Sequence, residues 1–409
     1  MSLPLEGIRV LDFGQGVAGP YCAQQLADQG ADVIKIEPPR GDWSRTMGSP
    51  GEDGQGGVFV SVNRNKRGIC LDLRKAEAIA IAKQLAADAD VIVESFRPGV
   101  MARLGLGAEE LRLTNPGLVY LSITGFGQDG PNVDLPAGDS TMQAYGGLMS
   151  VIGERGGSPL RVGNVVSDML AGMNGFSGVL LALLERSANG RGRGRGRGRD
   201  VQVALLDSIV AFQAPTLTEF LLTGKTPKRM GNDHPLISPS GAVKTSEGAI
   251  SYTVFDHQWT GFCAGMGLAE LASDPRFNSP GGRQQNRDAL SELLAPVFAL
   301  HSRDWWVAKL RKMDVLCAPI NDYNDLITDI QVRHNQLIGQ SRQGDRNYPS
   351  LSSPIRLPGN AMPNQAPPLL GEHTREILST SCGLSPPVID ELSARGVVLE
   401  TKVKKENLP

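Results

Sequence analysis

The carboxylate best placed for chemistry is Asp168, which stands near the start of an apolar run of small residues, 165–186. Gly172, Gly175 and Gly178 recur along this run. Because glycine is about 1 kcal/mol less favourable than alanine inside a helix, three glycines indicate that another part of the chain approaches the helix backbone closely. Aspartate is also a favoured N-cap residue, so this segment by itself favours a capping role. A carboxylate nucleophile is the other interpretation, and the rest of the chain has to decide between them.

Four loops rich in glycine, proline or cations flank the predicted strands of the first 125 residues, over 14–22, 37–45, 63–67 and 94–107, and the last three carry cations. Taken singly, each is typical of a solvated surface loop. Ligands of open α/β sheets gather at one sheet edge, and backbone amides at a helix start bind anions, so four such loops together predict a polyanion site. A ligand with several phosphates and an apolar part would fit it. The cations concerned are Arg40, Arg45, Lys66, Arg67, Arg97 and Arg103.

The same part of the chain alternates short apolar segments with helical ones. We predict strands over residues 8–13, 32–36, 91–94 and 118–124, and helices over 20–29 and 75–87. This alternation is typical of βαβ units, which form a parallel sheet with right-handed crossovers. The predicted fold class is therefore α/β with a parallel sheet.

Changes of pattern further along divide the chain into regions. A strand followed by helices indicates an α+β unit from about residue 226, and the segment rich in proline between 349 and 368 is typical of an extended crossing. We expect a large domain over 1–200 completed by about 330–409, a linker helix over 201–225, a small α+β domain over 226–322, and a return crossing segment with a C-terminal helix over 323–409.

Composition excludes several classes of protein. The 41 Lys and Arg residues nearly balance 43 Asp and Glu residues, which argues against a nucleic-acid-binding protein. Five scattered cysteines without a CxxC pair indicate reduced thiols and predict neither a disulfide frame nor a metal site. The N-terminal segment lacks the features of a signal peptide, and the apolar run 175–184 is too short to span a bilayer. We therefore expect a cytoplasmic protein with no membrane partner.

An arginine–glycine repeat occupies residues 189–199. We interpret it as a solvated, flexible loop, because it is one short tract without interleaved aromatic residues. The alternative is a nucleic-acid-binding function of this tract.

The motifs VLDFGQGVAGPYCAQQLADQGADVIKIEPPRGD, NRNKRGICLDL, ESFRPGVMARLGLG and TGFGQDGP occur in this order. With AGDSTMQAYGG, the Asp168 segment, GNDHPLISPSG, CAPI and PPLLGEHT, they resemble the class III CoA-transferases. That family contains formyl-CoA transferase, carnitine CoA-transferase and α-methylacyl-CoA racemase. The resemblance covers essentially the whole chain.

The resemblance implies a Rossmann-like large domain, a small domain and two interlocked chains in a homodimer. It implies that Asp168 attacks the donor thioester to form an aspartyl anhydride and then an aspartyl-CoA thioester, which the acceptor carboxylate opens. CoA is then a substrate, with no tightly bound cofactor, and the partners are an acyl-CoA and a small carboxylic acid. The residues implied to bind CoA are Val17, Ala18, Arg40, Lys66, Arg67, Phe96, Arg97, Arg103 and Asp139.

Two departures from the family pattern bear on the reaction. Val17 replaces a glutamine of formyl-CoA transferase, and the GGGGQ loop of that enzyme is absent after Gly231, which argues against oxalate-specific formyl transfer. The racemase branch has a histidine directly before the aspartate that corresponds to Asp139, where this chain has Gly138. Because epimerisation needs two acid–base groups, the resemblance favours a transferase over a racemase-like epimerase. A non-catalytic CoA- or nucleotide-binding protein that acts through the arginine–glycine repeat is the other alternative.

Overall fold

The computed structural model describes residues 2–51, 54–189, 196–357 and 363–401, which form two compact units. Unit 1 comprises the residues up to Leu148, Arg161–Leu222 and those from Asn335 onward, and unit 2 comprises Met149–Leu160 and Thr223–His334. The predicted loop over 189–199 lies largely outside the described residues.

The strands that these residues form are β1 Arg9–Asp12, β2 Asp32–Glu37, β3 Lys66–Leu71, β4 Val91–Glu94, β5 Val119–Thr124, β6 Asp200–Ala204, β7 Ser240–Lys244, β8 Ala249–Thr253, β9 Leu316–Pro319, β10 Ile338–Gln343, β11 Arg346–Leu351 and β12 Val398–Leu399.

The α-helices are α1 Ala18–Asp28, α2 Gly57–Val62, α3 Ala76–Ala87, α4 Val100–Arg103, α5 Ala108–Thr114, α6 Asp139–Tyr145, α7 Leu148–Val151, α8 Val166–Asn189, α9 Leu205–Phe212, α10 Ala214–Thr223, α11 Trp259–Met266, α12 Pro280–Gln285, α13 Arg287–Phe298, α14 Arg303–Lys312, α15 Tyr323–Thr328, α16 Ile330–His334, α17 Thr374–Cys382 and α18 Pro386–Ala394.

Unit 1 is built on a seven-stranded sheet in the order β12-β3-β2-β1-β4-β5-β6, parallel except for β12. Its central strands are apolar on both faces, as expected for a parallel sheet covered on both sides. Val10 and Val33 face one core with α1 and α8, whereas Leu11 and Ile34 face the other with α3, α17 and α18. The α/β prediction with a Rossmann-like parallel sheet is confirmed. Ligands of such sheets bind at the carboxyl edge, where the connections leave β1 and β4 for opposite faces.

Helix α8 packs beside α1, and its glycines make the close approach possible. A Cβ added at Gly172 would lie 2.8 Å from the carbonyl oxygen of Ala18, and one at Gly175 would lie 3.3 Å from Sγ of Cys22. A Cβ at Gly178 would lie 2.6 Å from a side chain of β6. The prediction of a close backbone approach is confirmed. Gly172 lies against Ala18, and Gly175, later in α8, lies against Cys22, later in α1. The helices α1 and α8 therefore run in the same direction.

Helix α8 has 24 residues, so the predicted short run 175–184 is only part of it. It is the one described helix that by itself is long and apolar enough to cross a membrane, and α9 with α10 meets the same test only as a bent pair. The apolar composition of α8 is explained by its packing against α1 and the sheet in the core of unit 1.

Several other predicted bounds change in the structure. The first helix begins at Ala18 rather than at residue 20, because proline is tolerated throughout the first helical turn. The predicted linker helix over 201–225 consists of β6 and the two helices α9 and α10. The predicted extended tail contains the antiparallel hairpin β10–β11, and α17 precedes the predicted C-terminal helix α18.

Unit 2 contains the antiparallel sheet β7-β8-β9 and a helical layer. Tyr252, Phe262, Phe298 and Trp306 form the centre of its core, in which the ring centroids of Phe298 and Trp306 lie 4.8 Å apart. The α+β character predicted for this part of the chain is confirmed.

Candidate active site

Asp168 is the third residue of α8 and is half-buried. Within the described chain its carboxylate receives no hydrogen bond, so the capping interpretation is wrong. Burial, followed by the negative charge of Asp139, raises the pKa of Asp168 from 3.8 to about 7. The positive end of the helix dipole acts in the opposite direction. Asp168 is therefore a poorly solvated carboxylate that titrates near neutral pH.

Asp139 fixes the start of α8 beside this carboxylate. Its Oδ1 accepts hydrogen bonds from the backbone N–H and the hydroxyl of Ser167, each at 2.8 Å. Nε2 of Gln143 donates to Oδ2 of Asp139 at 2.7 Å, and Oε1 of Gln143 accepts from the N–H of Val162 at 2.8 Å. Asp139 thus holds the helix start that carries the nucleophile candidate, and its oxygens are already engaged.

The N-terminus of α1 supplies free hydrogen-bond donors. Among the described residues, no acceptor engages the N–H groups of Val17, Ala18 and Gly19, and no side chain caps the helix. Gly172 lies against Ala18, and Asp168 is one turn before Gly172 on the same face of α8. Because the two helices run in the same direction, both helix starts lie at the same edge of the sheet. The predicted residues Val17, Ala18 and Asp168 are brought together there.

Lys66 was predicted to bind CoA, and the structure contradicts this. Its side chain is 1% exposed, since the residue is inside β3 rather than in the loop before it. Its ammonium donates to Oδ2 of Asp12 at 2.8 Å, to the carbonyl of Pro20 at 2.8 Å and to Oδ1 of Asn63 at 2.7 Å. These three bonds use all its donors, so none is left for a phosphate.

The sequence also predicts that Arg67 binds CoA, and the structure places it elsewhere. It lies at the start of β3, and in a parallel sheet this is the edge opposite the carboxyl ends of the strands. Its guanidinium is engaged by Asp32, with Nη2 2.8 Å from Oδ2, and by Glu376, with Nη1 2.9 Å from Oε1. The structure therefore removes Arg67 from the predicted polyanion site.

The remaining predicted residues follow β2 and β4 at the carboxyl edge. Arg40, Arg97 and Arg103 are exposed and form no ion pair with the described residues, whereas Phe96 is half-buried. Arg97 lines a cavity of about 170 Å³ whose wall includes Glu94, the last residue of β4. Three such guanidinium groups at one sheet edge can attract a polyanion. Arg45 does not join them, because it pairs with Glu37 at 2.6 Å.

Sequence reasoning missed Ser167 and the buried charges Asp12, Lys35 and Asp42. The sequence gives little indication of the role of Ser167, because only the fold brings this residue to Asp139. The signal for Asp12 and Lys35 is clearer, because each interrupts an apolar strand segment, VLDF and VIKI. A charge inside such a segment indicates a buried and paired group.

Comparisons with known proteins agree with this architecture. The model of CoA-transferase family III matches residues 5–374. A mouse succinyl-CoA:glutarate CoA-transferase is 33% identical over an alignment 411 residues long, gaps included, that covers 98% of this chain and 92% of the mouse protein. A succinyl-CoA:mesaconate CoA-transferase of Haloarcula hispanica is 34% identical over 391 residues, covering 91% of this chain and 95% of that protein.

Among solved structures, a CAIB/BAIF family protein from Brucella suis has a TM-score of 0.85 and 34% identity, covering 93% of this chain and all of the other. The chain therefore belongs to CoA-transferase family III and is an enzyme of this class, as the resemblance of its motifs implied. Its relatives are named as CoA-transferases, which supports a CoA-transfer function with CoA thioesters and carboxylic acids as substrates.

Proposed function

We propose that this enzyme moves CoA from an acyl-CoA thioester to a free carboxylic acid, with Asp168 as the covalent nucleophile. The observation that carries the proposal is the environment of Asp168: its carboxylate is half-buried, receives no hydrogen bond within the described chain and has its pKa raised to about 7. A carboxylate with few hydrogen bonds loses little solvation when it attacks a carbonyl carbon.

The first half of the reaction transfers CoA to the enzyme. An oxygen of Asp168 attacks the carbonyl carbon of the donor thioester, the C–S bond breaks, and CoA leaves as a thiolate. The product is a mixed anhydride between Asp168 and the donor acyl group. The thiolate then attacks the Asp168 carbon of this anhydride, which releases the donor acid and leaves an aspartyl-CoA thioester.

The second half repeats these steps with the acceptor. The acceptor carboxylate attacks the aspartyl-CoA carbonyl, the thiolate leaves, and a new anhydride forms. The thiolate then attacks the acceptor acyl carbon, which yields the new acyl-CoA and restores the Asp168 carboxylate. Each tetrahedral intermediate carries an oxyanion, and the free N–H groups of Val17 and Ala18 are the donors that we assign to it.

The CoA moiety is proposed to lie over the carboxyl edge of the sheet. Arg40, Arg97 and Arg103 would pair with its phosphates, because their guanidinium groups are exposed and form no ion pair within the described chain. Phe96 would offer an apolar contact next to them. Lys66 and Arg67 have no part in this binding, for the reasons given above.

Dicarboxylic acids are the acceptor class that we propose, with succinyl-CoA as donor. The mouse and Haloarcula relatives are named for succinyl-CoA with glutarate and with mesaconate. Glutarate and mesaconate both carry two carboxylates. We therefore expect the acceptor of this enzyme to carry a second carboxylate as well. A panel of mono- and dicarboxylic acids tests this choice.

We also propose that the enzyme is a homodimer. Helix α10 contains Leu217, Leu221 and Leu222, yet none of its residues is buried in the single chain. An apolar helix without burial is stabilised when a second chain covers it. Light scattering coupled to size-exclusion chromatography should give twice the mass of the 43.6 kDa chain.

Transfer of an oxygen isotope tests the covalent mechanism. In a single turnover with an acceptor acid labelled by 18O in both carboxylate oxygens, the mechanism leaves one labelled oxygen on Asp168. Mass spectrometry of the tryptic peptide 162–186 should then show a gain of about 2 Da on Asp168 and none on Glu185, the other acid of this peptide.

The controls separate this route from its alternatives. Asp168→Ala should give neither label nor transfer, and full transfer by this variant would overturn the assignment. Label that enters from 18O-water instead of the acceptor indicates hydrolysis. A racemase-like enzyme would exchange the α-hydrogen of the acyl group with solvent deuterium and would leave Asp168 unlabelled.

A further inference from the structure

A buried charge cluster, Asp12, Lys35, Asp42 and Lys66, lies beneath the turn that joins β1 to α1. Each of the four residues is at most 1% exposed. Within the cluster, Nζ of Lys66 lies 2.8 Å from Oδ2 of Asp12, and Nζ of Lys35 lies 2.9 Å from Oδ2 of Asp42. Two ammonium groups and two carboxylates are thus paired with no access to solvent.

The cluster holds the backbone of the turn as well as its own charges. Oδ1 of Asp12 accepts from the N–H of Gly14 at 2.9 Å, and the ammonium of Lys35 donates to the carbonyl of Gly14 at 2.9 Å. Oδ1 of Asp42 accepts from the N–H of Gly16 at 3.0 Å. Both glycines are therefore fixed by charged side chains from below.

The same arrangement reaches into the first turn of α1. Lys66, besides its bond to Asp12, donates to the carbonyl of Pro20 at 2.8 Å. The N–H of Gln15 donates to Oγ of Ser95 at 3.1 Å, which ties the turn to the loop after β4. The free amides of Val17 and Ala18 lie between these fixed points in sequence.

Contacts on the other side leave the turn little freedom. Gly16 has a φ of +79°, and a Cβ added there would overlap Cζ2 of Trp43. A residue with a side chain would be strained at this φ and would displace the indole. The turn is consequently fixed by the cluster below and by Trp43 above.

Burying four charges carries a desolvation cost that apolar side chains do not carry. Moving paired charges out of water is expensive, and well-packed apolar side chains of similar volume often stabilise a fold as much or more. Burial opposes the charge of Lys35, but Asp12, Asp42 and Glu37 outweigh it and raise the pKa of Lys35 above its usual value. Stability alone therefore does not account for four charges that all contact one turn or each other.

We propose that Asp12, Lys35, Asp42 and Lys66 are positioning residues that hold the amides of Val17 and Ala18 against the oxyanion formed at Asp168. This inference rests on the proposed function, because the oxyanion arises only when Asp168 attacks a thioester. The charged contacts resist displacement of the turn as negative charge develops on the substrate, so the donors need no reorganisation. The cluster touches no substrate and acts through the turn.

The paired variant Asp12→Asn/Lys66→Met tests the role without leaving one buried charge unpaired. Its asparagine can still accept from the N–H of Gly14, whereas its methionine cannot donate to the carbonyl of Pro20. The measurements are the single-turnover rate of CoA-adduct formation on peptide 162–186 with succinyl-CoA, and the Kd of CoA by calorimetry. We expect the rate to fall about 10- to 100-fold, within the range for a weakened oxyanion donor. The Kd of CoA should change less than about threefold.

A matched control is the pair Asp90 and Arg186, which is buried at the opposite end of α8. Nη2 of Arg186 lies 2.9 Å from Oδ1 of Asp90, and Nη1 donates to the carbonyl of Gly117 at 2.9 Å. The variant Asp90→Asn/Arg186→Met removes a comparable buried pair and should keep the adduct rate within about threefold of wild type. Because it lacks the tryptic site at residue 186, its adduct is read on peptide 162–191. An equal loss of rate in this control overturns the proposal.

Other outcomes are also decisive. A wild-type adduct rate in the Asp12→Asn/Lys66→Met variant, or a parallel loss of CoA affinity, overturns the positioning role. If that variant does not fold, Asp42→Ala gives the second test, because it removes the acceptor for Gly16 while Lys35 retains Asp12 and Glu37 nearby. The same 10-fold or larger fall with unchanged Kd is then required. Absence of any adduct in the active wild-type enzyme refutes the proposed function itself, which distinguishes the two failures.

Discussion

Replacing Asp168 by asparagine should stabilise unit 1 above neutral pH while it abolishes transfer. The folded protein raises the pKa of Asp168 from 3.8 to about 7, so ionisation is disfavoured in the native state. Each pKa unit corresponds to about 1.4 kcal/mol, which gives an upper limit of about 4 kcal/mol. Because the side chain is half-buried, solvent screening reduces this, and we expect about 2 kcal/mol.

The sign of the pH dependence follows from proton linkage. Below pH 3.8 the carboxyl is neutral in both states, so it carries no penalty. Between pH 3.8 and about 7 the unfolded chain loses its proton while the native state keeps it, and wild-type stability falls as pH rises. Above pH 7 the full penalty applies. The stability advantage of Asp168→Asn should therefore grow from pH 4 to pH 7 and then remain constant.

Scanning calorimetry at pH 5, 6, 7 and 8 measures this difference as a shift of the unfolding midpoint. A gain of about 2 kcal/mol corresponds to a rise of roughly 4–8 °C in the midpoint of a domain of 150–250 residues, and somewhat less for a larger unit. Asp207→Asn is the matched control, since Asp207 is an exposed carboxylate in the first turn of α9 and should change stability by less than about 0.5 kcal/mol. A difference that is independent of pH, or a destabilised Asp168→Asn protein at pH 8, would refute the reasoning.

The charge of Asp139, the glycines of α8 and the ammonium of Lys66 give three further predictions. Asp139→Asn removes a charge that raises the pKa of Asp168, so the rising limb of kcat/KM against pH should move below pH 7, and an unmoved limb contradicts this. Gly172→Ala should cost about 1–3 kcal/mol in urea unfolding, because its Cβ would lie 2.8 Å from a carbonyl oxygen of α1. Gly261→Ala, with nothing within 4 Å of its Cβ, should instead stabilise by roughly 0.5–1 kcal/mol. Burial lowers the pKa of Lys66 to about 8, so activity should decline above pH 8 in the wild type but not in Asp12→Asn/Lys66→Met.

The sheet of unit 1 could be predicted because its strands bury both faces and therefore stand out as apolar runs. β1, β2, β4 and β5 each fall within or next to a predicted segment. The hairpin β10–β11 could not, because its exposed strands alternate weakly and contain Pro349. Its register depends on pairing within the folded chain and on no strong local signal.

The errors at Lys66 and Arg67 have a topological cause. A cation at the start of a parallel strand lies toward the amino edge of the sheet, so its position in sequence already places its backbone away from the carboxyl edge. Arg67 follows this rule and pairs with Asp32 at the start of β2. Lys66 has a side chain long enough to reach Asp12 at the end of β1, but only under the surface. Composition alone does not distinguish such a buried ammonium from a phosphate ligand.

The contrast between Asp139 and Asp168 explains why one of two neighbouring carboxylates can be the nucleophile. Asp139 is buried and accepts hydrogen bonds from the N–H and hydroxyl of Ser167 and from Gln143, so its lone pairs are committed to fixing the helix start. Asp168 accepts none within the described chain and is disfavoured as an anion by burial and by the charge of Asp139. A capping bond would have lowered the reactivity of Asp168, because bonded lone pairs attack a carbonyl less readily. Since Asp139 fixes the start of α8, Asp168 is left free of that task and its carboxylate remains available for covalent chemistry.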